Sequence, residues 1–136
     1  MKKNLLTTII LLFSISSFAQ VIVGGSKDGT PSPKLWIEST TSNFGNVPLG
    51  TPVSTTFEIM NIGNAPLLIT KAEPTCNCTL VDYTKTEIAP GEKGFVKATY
   101  DAAIMGKFDK RVFIYSNAYE GEMDLILKGE VIYIKE

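Results

Sequence analysis

The strongest constraint on the fold is a period of two. Val53, Thr55, Phe57 and Ile59 alternate with Ser54, Thr56 and Glu58, the spacing of a strand with one buried and one wetted face. From Lys34 onward no window repeats its apolar residues at 3.6, so helices are not expected there. Further short runs follow between turn residues: Lys34 to Glu38, Pro66 to Ala72, Cys78 to Val81, Gly94 to Tyr100, Lys110 to Ser116 and Met123 to Tyr133. Val96, Ala98 and Tyr100 share one face, as do Met123, Leu125, Leu127 and Val131. About seven strands at this spacing predict an all-β, immunoglobulin-like antiparallel β-sandwich.

The first residues read as an export signal. Met1-Lys2-Lys3 is a short basic start, Leu5 to Phe13 is apolar apart from two threonines, and Ser17-Phe18-Ala19 supplies small residues where a signal peptidase reads. The stretch from Leu5 to Phe18 is too short to span roughly 30 Å of hydrocarbon as a helix. Residues 1–19 are thus expected to be a signal peptide cleaved between Ala19 and Gln20. The expected product is a soluble periplasmic or secreted protein without a membrane span. No cysteine lies at the cleavage point, so a lipid anchor there is not expected. Cleavage would leave 117 residues with 11 basic and 14 acidic side chains, a net charge of −3. That is one domain by length, and no basic cluster exceeds Lys110-Arg111, so nucleic acid is not an expected partner. Residues 20–33, rich in glycine and proline, read as a flexible linker, and residues 34–136 as the domain. The apolar Val21-Ile22-Val23 could also add as a strand to an edge, its own or a neighbour's.

Chemistry-bearing residues are few. The chain has no histidine and two cysteines, Cys76 and Cys78, which removes the acid-base, hydrolytic and zinc sites that rely on imidazole. Glu120 and Glu122 sit beside a glycine turn and read as solubilising charge. Enzymatic activity is therefore not expected, with thiol-disulfide exchange the one exception. Even that lacks the Cys-x-x-Cys at a helix start that lowers a thiol pKa.

Three readings of the cysteine pair stay open. In an oxidising compartment the two thiols tend to bond. Residues i and i+2 of an extended strand lie near the upper limit for a disulfide, so a bridge requires a local turn, and Asn77 is suited to supply one through a left-handed φ. A ring this small stabilises by only about 1.6 kcal/mol before strain. Alternatively the pair captures Cu(I), with carboxylates or thioethers such as Met60, Met105 or Met123 completing the site. The third reading is two inert thiols at a strand edge. No cofactor is implied.

An ordered series of residues carries a resemblance. Asn43-Phe44-Gly45-Asn46-Val47, Gly50, Phe57, Asn61, Gly63, Pro66-Leu67, Ile69, Cys76-Asn77-Cys78-Thr79, Pro90-Gly91, Gly106, Phe108 and Ser116-Asn117 resemble the bacterial family known as domain of unknown function 1573, over roughly residues 34 to 132. The family pattern usually has glycine where Asn77 stands. That family in turn resembles the immunoglobulin-like domains of the abnormal-spindle, hydin and major-sperm-protein group, which implies an adaptor rather than an enzyme.

Read from the residues alone, the glycines of Phe44-Gly45 and Val47-Pro48-Leu49-Gly50 mark a strand edge and a turn. Asn61, Gly63 and Asn64 mark a turn with left-handed residues. Trp36 is expected in the core. The expected function is an exported binding or adaptor module for a protein or cell-envelope component, possible by edge-strand addition. Tyr83, Tyr115 and Tyr119 are candidate anchors, with Phe95 and Phe113 if they face outward. The alternative is a thiol-disulfide or Cu(I)-handling protein centred on Cys76 and Cys78.

Overall fold

In the computed structural model, which describes residues 29–118 and 122–136, the alternating runs become eight strands in two four-stranded sheets. They are β1 (Leu35–Ile37), β2 (Thr41–Pro48), β3 (Val53–Asn61), β4 (Ile69–Pro74), β5 (Thr79–Tyr83), β6 (Lys93–Tyr100), β7 (Gly106–Ser116) and β8 (Glu122–Ile132). One sheet has the order β1-β3-β6-β5 and the other β2-β8-β7-β4. The signal-peptide reading, Val21 to Val23, Tyr119 and Glu120 lie outside the described residues.

The alternation does what the period of two predicts. Phe57 and Ile59 of β3, Val96, Ala98 and Tyr100 of β6, Val112 and Ile114 of β7, and Leu125, Leu127 and Val131 of β8 are all buried between the sheets. Deleting a side chain such as Leu125 here would cost about 2–5 kcal/mol. Tyr100 packs on Phe108 with ring centroids 4.3 Å apart, joining the two layers.

Three expectations are corrected. The sandwich is not wholly antiparallel, because β2 runs parallel to β8 from Thr41↔Ile126 to Pro48↔Ile132. β2 itself escapes a pattern search: Gly45 takes φ 64° and the register shifts between Asn43 and Asn46, so alternation breaks inside the strand. Trp36 is not in the core. It faces outward on β1 opposite Met60 and is 44% exposed, whereas its neighbours Leu35 and Ile37 pack inward. In a strand, two adjacent residues cannot both face the core, and Leu35 and Ile37 outvote the indole.

The turn after β3 is also built differently. Asn61, Gly63 and Asn64 have no left-handed φ. Asn61 is fully buried, and its carboxamide accepts from the Gly63 N–H (2.9 Å) and donates to the carbonyls of Ala65 (2.7 Å) and Ile88 (2.8 Å). Gly63 is required for room: a Cβ there would meet the backbone of Ser32 and Lys34. Asn64 exchanges two hydrogen bonds with Ser32, Ser32 N–H to Oδ1 at 2.8 Å and Asn64 N–H to the Ser32 carbonyl at 3.0 Å. Attachment to the domain thus starts before Lys34.

Candidate functional site: the cystine turn and the β5 edge

Pro74 ends β4, and the chain crosses from one sheet to the other through Thr75-Cys76-Asn77-Cys78 before β5 begins. Cys76 and Cys78 are paired through their sulfurs, with Cα atoms 5.2 Å apart. Two strand residues would stand about 6.6 Å apart, and the shortening comes from a turn in which the Thr79 N–H reaches the Cys76 carbonyl at 3.3 Å. Asn77 occupies that turn, exposed, but without the left-handed φ expected of it. The left-handed non-glycine among the described residues is instead Ala102, φ 53° and fully buried, which no composition rule singles out. Its carbonyl accepts from the Gly50 N–H at 2.9 Å.

The pair is anchored on both sides. Thr79, buried, places its Oγ1 3.7 Å from the Cys76 sulfur and 4.0 Å from that of Cys78. The Cys78 carbonyl accepts from the Asp101 N–H at 3.0 Å. The Asp101 carboxylate itself turns back to its own loop, where its Oδ1 accepts from the Ala103 N–H at 3.2 Å. Among the described residues no group of three Cys, Asp or Glu side chains is arranged to hold a metal ion. The thioethers do not converge either: Met60 lies on β3 opposite Trp36, and Met123 on β8 opposite Ile114. Met105 is in the loop after Asp101, where it and Ile104 are 59% and 72% exposed.

β5, which follows this turn, is a sheet edge. Cys78 and Thr84 both bond towards β6, through Asp101 N–H and the Phe95 carbonyl, so Leu80 and Asp82 share that direction. The alternate residues Thr79, Val81 and Tyr83 turn their backbone away from the sheet. Thr79 N–H is taken by Cys76, and Tyr83 N–H by Asp82 Oδ1 at 2.9 Å. The Val81 N–H and carbonyl have no partner among the described residues.

The other three edges are blunted. β1 has three residues, β2 carries the Gly45 bulge, and β4 shifts register after Ile69 and ends in Pro74. β5 has five residues in unbroken register with β6 and no proline. Leu80 stands on its outer face, 74% exposed.

The aromatic candidates behave unequally. Tyr83 is half-buried under Lys85, whose Nζ lies 3.2 Å from the ring centroid, and Tyr115 is half-buried with Lys71 at 5.8 Å. A hydrogen bond to Glu73 holds the Lys71 ammonium above its usual pKa. Phe113 is half-buried, and Phe95 faces outward, 40% exposed. Among the described residues no helix is long and apolar enough to cross a membrane.

This architecture recurs in solved structures. A protein of unknown function from Porphyromonas gingivalis W83 matches with a TM-score of 0.63 at 20% identity, over 84% of this chain and 51% of that one. The chain therefore spans about half the length of that protein. The ASH/PapD-like domain 7 of human CEP192 matches with a TM-score of 0.61 at 13% identity, over 97% of this chain and all of that domain. WR4, a C. elegans major-sperm-protein family member, matches at 0.50 and 13% identity, over 76% of this chain and all of that one. At these identities the likeness is one of fold, the immunoglobulin-like sandwich. No curated protein matches the chain. The family described as "Protein of unknown function (DUF1573)" matches over residues 35–131, from the first residue of β1 to the penultimate residue of β8, and the chain belongs to that family.

Proposed function

We propose that the domain is a non-enzymatic, exported binding module that takes up an extended protein segment along β5. The observation that carries this reading is the contrast among the four outermost strands, of which only β5 combines more than three residues, an unbroken register and freedom from proline. An added strand would pair with the outward backbone of Val81, while Leu80 on the sheet face, with Ile104 and Met105 in the neighbouring connection, offers apolar contact. The cystine turn then serves position: it delivers the chain from β4 to β5 and engages the first outward N–H of β5, that of Thr79. The folds of the CEP192 and major-sperm-protein neighbours are compatible with protein partners.

Val81→Pro tests this. It removes an N–H that β6 does not use, so folding is retained while strand addition is blocked. Cross-linking of the exported protein to its envelope partner should be lost in Val81→Pro and kept in a Cys76→Ser, Cys78→Ser double variant. The reverse pattern would transfer the function to the sulfur pair and to thiol exchange or Cu(I) handling.

A further inference from the structure

β3 outruns its partner on the opposite edge of the same sheet. β1 covers only Ile59 to Asn61, while β3 continues back to Val53 with β6 alongside it on the other side. After Ile37 the chain leaves for the second sheet, where the Thr40 carbonyl accepts from the Ile126 N–H at 2.7 Å. The stretch Val53 to Glu58 thus has a strand on one side only. Direction follows from the flanking bonds. Ile62 N–H points to the Lys34 carbonyl on the β1 side and Asn61 N–H to Glu92 on the β6 side, so the backbones of Ser54 and Thr56 face the open edge.

That edge borders a groove of about 250 Å³, whose lining includes Trp36, Glu38, Ser42, Thr55, Thr56 and Glu58. It contains hydroxyls, two carboxylates and an exposed indole, and no lysine or arginine lines it. Glu58 is paired from outside the groove by Lys93, 2.7 Å away. Glu38 has no cation within ion-pair distance among the described residues. Both carboxylates act on the same ammonium: Lys93 is held above its usual pKa by its hydrogen bond to Glu58, with Glu38 adding a smaller electrostatic contribution. The groove is therefore a negative site short of a cation.

We propose that this groove is a second docking surface, for an extended protein segment that pairs with the open edge of β3 and carries an arginine or lysine to Trp36 and Glu38. Unpaired backbone supplies the strand register, the indole face attracts a cation, and Glu38 supplies the opposite charge. The site is distinct from β5, at the other edge of the sheet, and stands whether or not β5 binds a partner. Occupied together, the two edges would let one domain join two chains.

Trp36 is the chain's single tryptophan, so intrinsic emission reports on this groove directly. The probes are the peptide acetyl-Ser-Val-Thr-Arg-Thr-Val-Ser-amide, its twin with glutamate for arginine, and an arginine version with alternate backbone nitrogens methylated. The full chain is titrated with each up to about 1 mM, where weak strand addition is still visible. The arginine peptide should change Trp36 emission saturably, and raised salt should weaken it. Binding should fall about tenfold in Glu38→Gln, Glu58→Gln, while both control peptides leave emission unchanged.

Equal response to the glutamate twin would overturn the cation preference. Equal response to the methylated peptide would overturn edge pairing. No response to any peptide would overturn the docking surface, as would a concentration-dependent, Trp36-dependent dimer without peptide, which would make a second copy the occupant. Loss of the response in Val81→Pro with Glu38→Gln, Glu58→Gln unaffected would move the binding to β5 and sink this proposal while sparing the other.

Discussion

The carboxamide nitrogen of Asn61 donates to the carbonyl of Ile88 at 2.8 Å, across 27 residues of sequence and out of reach of solvent. The same side chain holds Gly63 and Ala65, and lies 3.4 Å from the Lys34 N–H at the start of β1. One residue thus fastens the entry strand, the turn after β3 and the loop before β6. A buried group of this kind is worth little when satisfied and costly when its partners are orphaned.

Asn61→Ala should accordingly destabilise the domain by about 3 kcal/mol, seen as a melting temperature lower by roughly 12–24 °C for a domain of this size. Asn61→Asp should be comparably damaging, because a carboxylate cannot donate to Ala65 and Ile88. Thermal unfolding measures both, and wild-type stability in either variant would remove Asn61 from this role.

Gly63→Ala should fail for a different reason. The added methyl would lie within 2.5 Å of the Lys34 backbone nitrogen and closer still to the Ser32 carbonyl, so the entry segment must move. We expect a loss of about 1–3 kcal/mol together with faster proteolysis ahead of β1. Limited proteolysis with mass spectrometry locates the cut, and unchanged resistance there would contradict the packing argument.

At the cystine turn, the Cys76→Ser, Cys78→Ser double variant should stay folded and cooperative, losing at most about 1.6 kcal/mol, since the ring has three residues. Failure to fold would show that the turn depends on the sulfurs. Asn77→Gly should not stabilise. Asn77 has no left-handed φ to relieve, so glycine only adds freedom to the unfolded chain, at a cost of about 0.5–1 kcal/mol. Denaturant midpoints for the three proteins decide both points.

Stability should fall above pH 10. Burial, reinforced by the charge of Asp101, raises the pKa of the Tyr100 phenol above 10.0. The unfolded chain therefore releases this proton first, and the contribution of Tyr100, complete below pH 10, is lost as pH rises through the folded-state value. Lys71 and Lys93 add the same sign, since their raised pKa values also favour the proton-bound folded state. Tyr100→Phe should flatten the alkaline decline in melting temperature. An identical slope would rule out Tyr100 as a source.

Much of the architecture was readable because the strands β3, β6 and β8 each bury one face, and a half-buried strand writes its period into the residues. The inward sets of Phe57 and Ile59, Val96 to Tyr100, and Leu125 to Val131 follow from that period alone. The exclusion of histidine-based chemistry follows from composition, and the turn that two cysteines one residue apart require if they are to bond follows from their spacing. What escaped depends on partners distant in the chain. β2 hid because its bulge at Gly45 is stabilised by β8 rather than by its own pattern, and its parallel pairing has no local signature. Trp36 was misplaced because which face of β1 turns inward is decided by the opposing sheet. Asn61 looked like a turn residue, since nothing nearby announces the carbonyl of Ile88 waiting for it. Which sheet edges stay open was likewise a tertiary matter. The gap beside β3 exists because β1 stops after three residues and the chain changes sheets, and the β5 edge because β5 is the last strand of its sheet; an unpaired backbone group is defined by what is not beside it in space, which local sequence does not encode.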